Sequence, residues 1–116
     1  MEKVFDFEQS LRRIDGDKEL YSDLIGLFLE DSPKLLDQVR AGVAARNATQ
    51  AGHSAHTLKG LAANFNGERL IEAADRVERL ARTGAFEAIV HALETLEQET
   101  ALLQETLRSF QAELGQ

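Results

Sequence analysis

The most chemically suggestive feature of this 116-residue chain is a histidine set among small residues, with a cation three positions on: Ala55-His56-Thr57-Leu58-Lys59-Gly60. A neutral imidazole is a nucleophile near pH 7. An ammonium at i+3 of a helix shares its side, where Lys59 could hold phosphoryl oxygens and oppose their negative charge. The same cation slightly favours the neutral, nucleophilic ring. Glycines flank His56 at i−4 and i+4, as Gly52 and Gly60. Each costs about 1 kcal/mol relative to alanine inside a helix, so the pair calls for a reason, and close approach of another protein would supply it. His53, one turn earlier, has His56 rather than a lysine at its own i+3 position. It reads as a docking residue or a solvated bystander.

Positioning His56 requires a helix with a defined inner face. Asn47 can cap it, Ala51, Ala55, Leu58, Ala62 and Phe65 form the inward stripe, and Asn66-Gly67 supplies the stop. On a wheel of roughly 100° per residue, His56 falls roughly 160° from Leu58 and faces solvent, sharing its side with Gly52, Lys59, Gly60 and Ala63. Four further helices are legible. Asp6 caps a short one carrying Phe7, Leu11 and Ile14, ended by Asp15-Gly16 and suited to a lid or docking role. Asp17 caps a long one whose stripe is Leu20, Leu24, Phe28, Leu35, Val39 and Val43, widened by Ile25, Leu27 and Leu36. Pro33 predicts a kink or break in it near Asp31 and Ser32. Leu70, Ile71, Ala74, Val77, Leu80 and Ala81 mark a helix closed by Thr83-Gly84. The last runs through Phe86, Ile89, Leu93, Leu96, Thr100, Leu103, Leu107, Phe110 and Leu114, in alternating steps of three and four. A coiled-coil dimer would bury that last stripe alone. Four apolar faces on short connections are buried together by a monomeric antiparallel four-helix bundle with a short additional N-terminal helix, all-α and a single domain over residues 1–116.

Composition narrows the functions. Thirteen Lys plus Arg against twenty Asp plus Glu leave a net charge of −7, which disfavours nucleic acid and anionic membranes as partners. With no cysteine, disulfides and thiolate metal sites are excluded. A bundle di-metal site wants Glu-x-x-His pairs, but Gln50, His53 and Ala88 stand three before His53, His56 and His91, and His-Glu-x-x-His is absent, so no metal site is expected. His91 reads as a surface or boundary residue, and Glu94, Glu97, Glu99 and Glu105 as the solvated face of the last helix. No apolar run of membrane-spanning length or signal-peptide pattern appears, and a cytoplasmic chain without direct membrane contact is expected.

The segment His56-Thr57-Leu58-Lys59-Gly60-Leu61-Ala62-Ala63-Asn64-Phe65 resembles the core of the histidine phosphotransfer (HPt) domain family. The likeness extends upstream through Phe28-Leu29-Glu30-Asp31-Ser32-Pro33 and Leu36, and downstream through Leu70, Ala74, Val77-Glu78 and the Gly84 turn. Many members have glycine where this chain has Asn66. Asparagine also tolerates left-handed backbone, so the site is not expected to be lost. The resemblance implies a phosphocarrier rather than an enzyme, in which His56 takes a phosphoryl group from the aspartyl phosphate of one receiver domain and passes it to another, with Lys59 stabilising the phosphoryl group. Partners would be receiver domains of hybrid histidine kinases and response regulators, docking on Gly52, His53, Gly60 and Ala63. No cofactor of its own is implied; Mg²⁺ belongs to the receiver. Two other readings are a helical adaptor without phosphoryl chemistry and the histidine domain of a chemotaxis-type kinase, the latter distinguished by natural chain length.

Overall fold

Side-chain caps set the starts of three helices in the computed structural model, which describes residues 3–115. Asp6, Asp17 and Asn47 accept the backbone N–H groups of Gln9 (3.1 Å), Leu20 (2.9 Å) and Gln50 (3.1 Å). The elements are α1 (Phe7–Arg12), α2 (Lys18–Ala44), α3 (Ala48–Ala63), α4 (Glu68–Thr83) and α5 (Phe86–Leu114). Gly84 ends α4 in the left-handed region at φ +71°. Between α3 and α4 the left-handed residue is Asn66, at φ +53°. Gly67 answers a different need, because a Cβ there would lie 3.1 Å from Leu103 Cδ2 and 3.3 Å from the Ala62 carbonyl oxygen.

Helices α2 to α5 close an antiparallel ring in which α2 packs on α3 and α5, and α4 on α3 and α5. The stripe expected of α3 is fully buried, with Ala51, Ala55, Leu58, Ala62 and Phe65 all at 0% exposure. The stripe expected of α2 is rotated. Leu20 and Leu27 are 41% and 52% exposed, while Tyr21, Ile25, Phe28, Ser32, Leu36 and Val39 are buried. Tyr21 and Ser32 drop out of an apolar-only pattern, yet both are satisfied inside: the Tyr21 hydroxyl bonds Ser10 Oγ at 2.7 Å, and Ser32 Oγ accepts from Gln104 Nε2 at 2.9 Å. Gly42 on the same helix admits the closest approach to α3; a Cβ there would sit 2.7 Å from the Ala51 nitrogen.

Pro33 does not break α2, which is one helix of 27 residues. The proline lies on its exposed side, and packing on α3 and α5 holds the helix on both sides of it. Of the four glutamates assigned to a solvated face, only Glu94 and Glu105 are exposed. Glu97 accepts from Arg40 of α2 at 2.6 Å, and Glu99 from Arg69 of α4 at 3.0 Å, so these two tie helices together.

Because α2 and α5 have 27 and 29 residues against 16 each in α3 and α4, they outrun them by roughly 15–20 Å at about 1.5 Å per residue. The N-terminal segment fills the slot so left. Phe7 meets Tyr21 and Phe110 edge-on at centroid distances of 5.1 and 4.5 Å, and Phe5 meets Phe110 at 5.2 Å. The Asp6 N–H donates to the Phe65 carbonyl at 2.9 Å, and Arg13 donates to the Ala63 carbonyl at 2.6 Å and to Asn66 Oδ1. The segment is thus a lid over one end of the bundle, clasping the turn that follows α3.

Phe65 joins the lid to the core, meeting Tyr21 at 5.6 Å and Phe28 at 5.7 Å with no exposed surface. Phe65→Ala is expected to cost about 3–5 kcal/mol of unfolding free energy, read from urea denaturation followed by circular dichroism.

Candidate functional site

Burying the apolar face of α3 leaves His53, His56, Thr57 and Gly60 outside. The His56 side chain is 62% exposed, as the helical wheel requires. Its surroundings hold more than the small residues of its own helix. Gly52 lets α3 lie close beside α4, where an added Cβ would reach 3.4 Å from Ala81 Cβ. Across this narrow seam the acidic side chains of α4 reach α3.

Glu78, only 13% exposed, is the centre of the arrangement. Its Oε2 lies 3.0 Å from His56 Nδ1 and accepts from Arg82 Nη2 at 3.0 Å, while its Oε1 accepts from Lys59 Nζ at 2.7 Å. Asp75, one turn earlier, accepts from Lys59 Nζ at 3.2 Å and from Arg79 Nε at 2.8 Å. The hydrogen bond from Lys59 is the main cause holding Glu78 below the usual glutamate range, with Arg82 and His56 adding to it. Lys59 likewise leads in lowering Asp75, ahead of Arg79. The Lys59 ammonium is in turn pushed up, first by Glu78 and then by Asp75. Glu78 is therefore ionised at neutral pH and can only accept. The proton between it and His56 therefore belongs to Nδ1, and in the neutral ring Nε2 then carries the lone pair.

An open groove of about 560 Å³ runs beside His56, lined by Ala48, Thr49, Gly52, His53, Ala81 and Arg82 together with His56 and Glu78 themselves. Of the residues singled out in the sequence, Gly52, His53 and His56 share this groove, and Lys59 joins them through Glu78. Gly60 is exposed, and a Cβ there would meet nothing within 4 Å, so packing within the chain does not explain this glycine. Ala63 lies further along α3, where its carbonyl receives Arg13. His91 is exposed on α5. Among the described residues, no group of three or more His, Cys, Asp or Glu side chains is placed to hold a metal ion.

Sequence pattern alone gives no role to Asp75, Arg79 and Arg82, and Glu78 enters it only within the family likeness. The pairs Asp75/Arg79 and Glu78/Arg82 are visible as i, i+4 partners on one helix. That both carboxylates also meet α3 depends on the register of α3 against α4, which local pattern does not carry.

A family model described as Hpt domain matches residues 23–112, leaving the N-terminal segment and α1 outside the matched range. Among solved structures, the chain is similar to histidine-containing phosphotransfer protein B (HptB) from Pseudomonas aeruginosa PAO1, at a TM-score of 0.88 and 22% identity over 97% of this chain and 98% of that one. At that identity the likeness is one of fold. A comparison with curated proteins found no match.

The lowered carboxyls of Glu78 and Asp75 link stability to pH. A carboxyl whose folded value lies below its unfolded one stabilises fully above the unfolded value, and that contribution is lost as pH falls through the folded one. The loss should begin near the ordinary carboxylate range, at about pH 4, and continue below it. Thermal melts from pH 7 to pH 2.5 should show Glu78→Gln less stable than wild type at neutral pH and the two curves converging in acid. Parallel curves would mean that the Glu78 charge adds no stability.

Proposed function

The chain belongs to the Hpt domain family and is a histidine phosphotransfer protein of two-component phosphorelays, and we propose that His56 is the residue that carries the phosphoryl group between receiver aspartates. The observation that supports this choice is the hydrogen bond between His56 Nδ1 and the ionised Glu78 carboxylate, which leaves Nε2 bare on an exposed ring. His53 lines the same groove, but its side chain makes no hydrogen bond found among the described residues.

In the proposed transfer, the Nε2 lone pair attacks the phosphorus of a receiver's aspartyl phosphate. The N–P bond forms as the P–O bond to the aspartate breaks, and that aspartate leaves as a carboxylate. No proton has to depart, because Nδ1 keeps its own. The ring gains positive charge, which the Glu78 carboxylate balances, and because Nδ1 keeps its proton the ring can depart as neutral imidazole when the N–P bond breaks in onward transfer. Lys59 and Arg82, both bonded to Glu78, place cations near the incoming phosphoryl oxygens. Mg²⁺ is assigned to the receiver's acidic pocket, where it neutralises charge on the phosphoryl donor. The chain acts as a phosphocarrier without a nucleotide site of its own, a reading supported by the lack of any Gly-x-x-x-x-Gly-Lys-Ser/Thr segment in the sequence.

Receiver docking is assigned to the face bearing Gly52, His53, Gly60 and Ala63. The unfilled space over Gly60 supports it, since a side chain there would intrude on a partner and on nothing else. A monomer fits the closed ring of four helices. Among the described residues no helix is long and apolar enough to cross a membrane, and we place the protein in the cytoplasm.

Phosphorylated receivers mixed with wild type, His56→Gln and His53→Gln decide the site. Wild type and His53→Gln should acquire acid-labile, alkali-stable label, and His56→Gln none; label on His56→Gln would overturn the choice of histidine. Glu78→Gln should slow labelling roughly 5–30-fold, the rate equivalent of about 1–2 kcal/mol for a partly exposed charged hydrogen bond.

A further inference from the structure

Lys59 is already occupied in this structure. Two of its three N–H groups are given to carboxylates of α4, Glu78 Oε1 at 2.7 Å and Asp75 Oδ1 at 3.2 Å. We propose that Asp75 is a positioning residue that competes with the phosphoryl group for the Lys59 ammonium, and so sets how far phosphoryl transfer lies toward His56. The inference rests on the reading of His56 above and concerns the equilibrium at that site.

Two features single out Asp75 as the partner that Lys59 gives up. Its bond to Nζ is the longer of the two, and Arg79 Nε at 2.8 Å keeps it paired when Lys59 turns away, as Arg82 would keep Glu78. Glu78, by contrast, also holds the His56 ring, and its displacement would disturb the nucleophile. The exchange is also energetically easy. Lys59 and Asp75 are 25% and 38% exposed, and water reaching such a pair weakens its hold. A phosphoryl dianion is the stronger acceptor for an ammonium.

Asp75 stabilises the unphosphorylated state by holding Lys59 and destabilises the phosphorylated one by repelling the dianion. Removing its charge shifts both contributions toward phosphohistidine. Arg79 acts in the opposite sense, because its ion pair with Asp75 weakens that carboxylate's hold on Lys59.

The test is the equilibrium partition of phosphoryl label between a receiver and the full chain, measured for wild type, Asp75→Asn, Lys59→Gln and the double variant. Asp75→Asn should raise the ratio of phosphohistidine to phosphoaspartate roughly 3–10-fold, and Asp75→Glu should return it toward wild type. In the Lys59→Gln background the same change should move the ratio by less than about twofold, since the competition has lost its object. An unchanged or lower ratio in Asp75→Asn overturns the proposal. So does an equal rise in the Lys59→Gln background, which would reduce Asp75 to through-space repulsion. Arg79→Gln supplies an independent arm and should lower the ratio; a rise counts against the competition. If wild type takes no label from any receiver, the His56 reading itself fails and this inference with it. If wild type labels and only the partition is insensitive to Asp75, this inference alone falls.

Discussion

The carboxylate of Glu78 is the interaction on which the site depends. One oxygen meets His56 Nδ1 and Arg82, and the other meets Lys59. A single group thereby sets the tautomer of the imidazole, the position of the nearest ammonium and the local balance of charge. It can do so because it is mostly shielded while the ring it orients is mostly open to solvent. Were Glu78 as exposed as His56, water would compete for every one of these bonds.

What brings Glu78 there is the narrowness of the seam between α3 and α4. Gly52 and Ala81 face each other across it, and the α3 stripe of Ala51, Ala55 and Ala62 is likewise small. Small residues let the two helices approach until side chains of one can reach around to the exposed side of the other. The bulk needed for a stable core is supplied elsewhere, by Tyr21, Phe28, Phe65 and the leucines of α5. Division of labour between a lean seam and an aromatic end lets the same bundle be both stable and chemically accessible.

Much of this was legible in the sequence, and the failures have identifiable causes. The stripe of α3 and its outward histidine followed from 3.6-residue periodicity, which works best where buried positions are uniformly apolar. The stripe of α2 departs from the apolar pattern because Tyr21 and Ser32 are buried polar residues whose partners, Ser10 and Gln104, lie on other helices. Pro33 leaves open in the sequence whether α2 is continuous, since its cost is local while the packing that holds α2 together is tertiary. The carboxylates of the site escaped notice for the same reason that Glu97 and Glu99 were read as merely solvated: an acidic residue on a helix surface looks alike whether it faces water or the arginine or lysine of a neighbour. Helix existence is written in local pattern, and the pairing between helices is not.

The lid over the far end of the bundle has a consequence for how the molecule opens. Residues 5–13 spend their contacts on Tyr21, Phe65, Phe110, Ala63 and Asn66, a turn or more of helix away from His56, and lie outside the range matched by the family model. A segment attached this way can detach as a cooperative unit while the ring of four helices stays closed. Amide hydrogens of α1 and of the turn at Asn66 would then exchange through a shallower opening than those of Leu58 or Leu96. The chain would possess two tiers of structural lifetime, with the helix that bears His56 spanning the border between them.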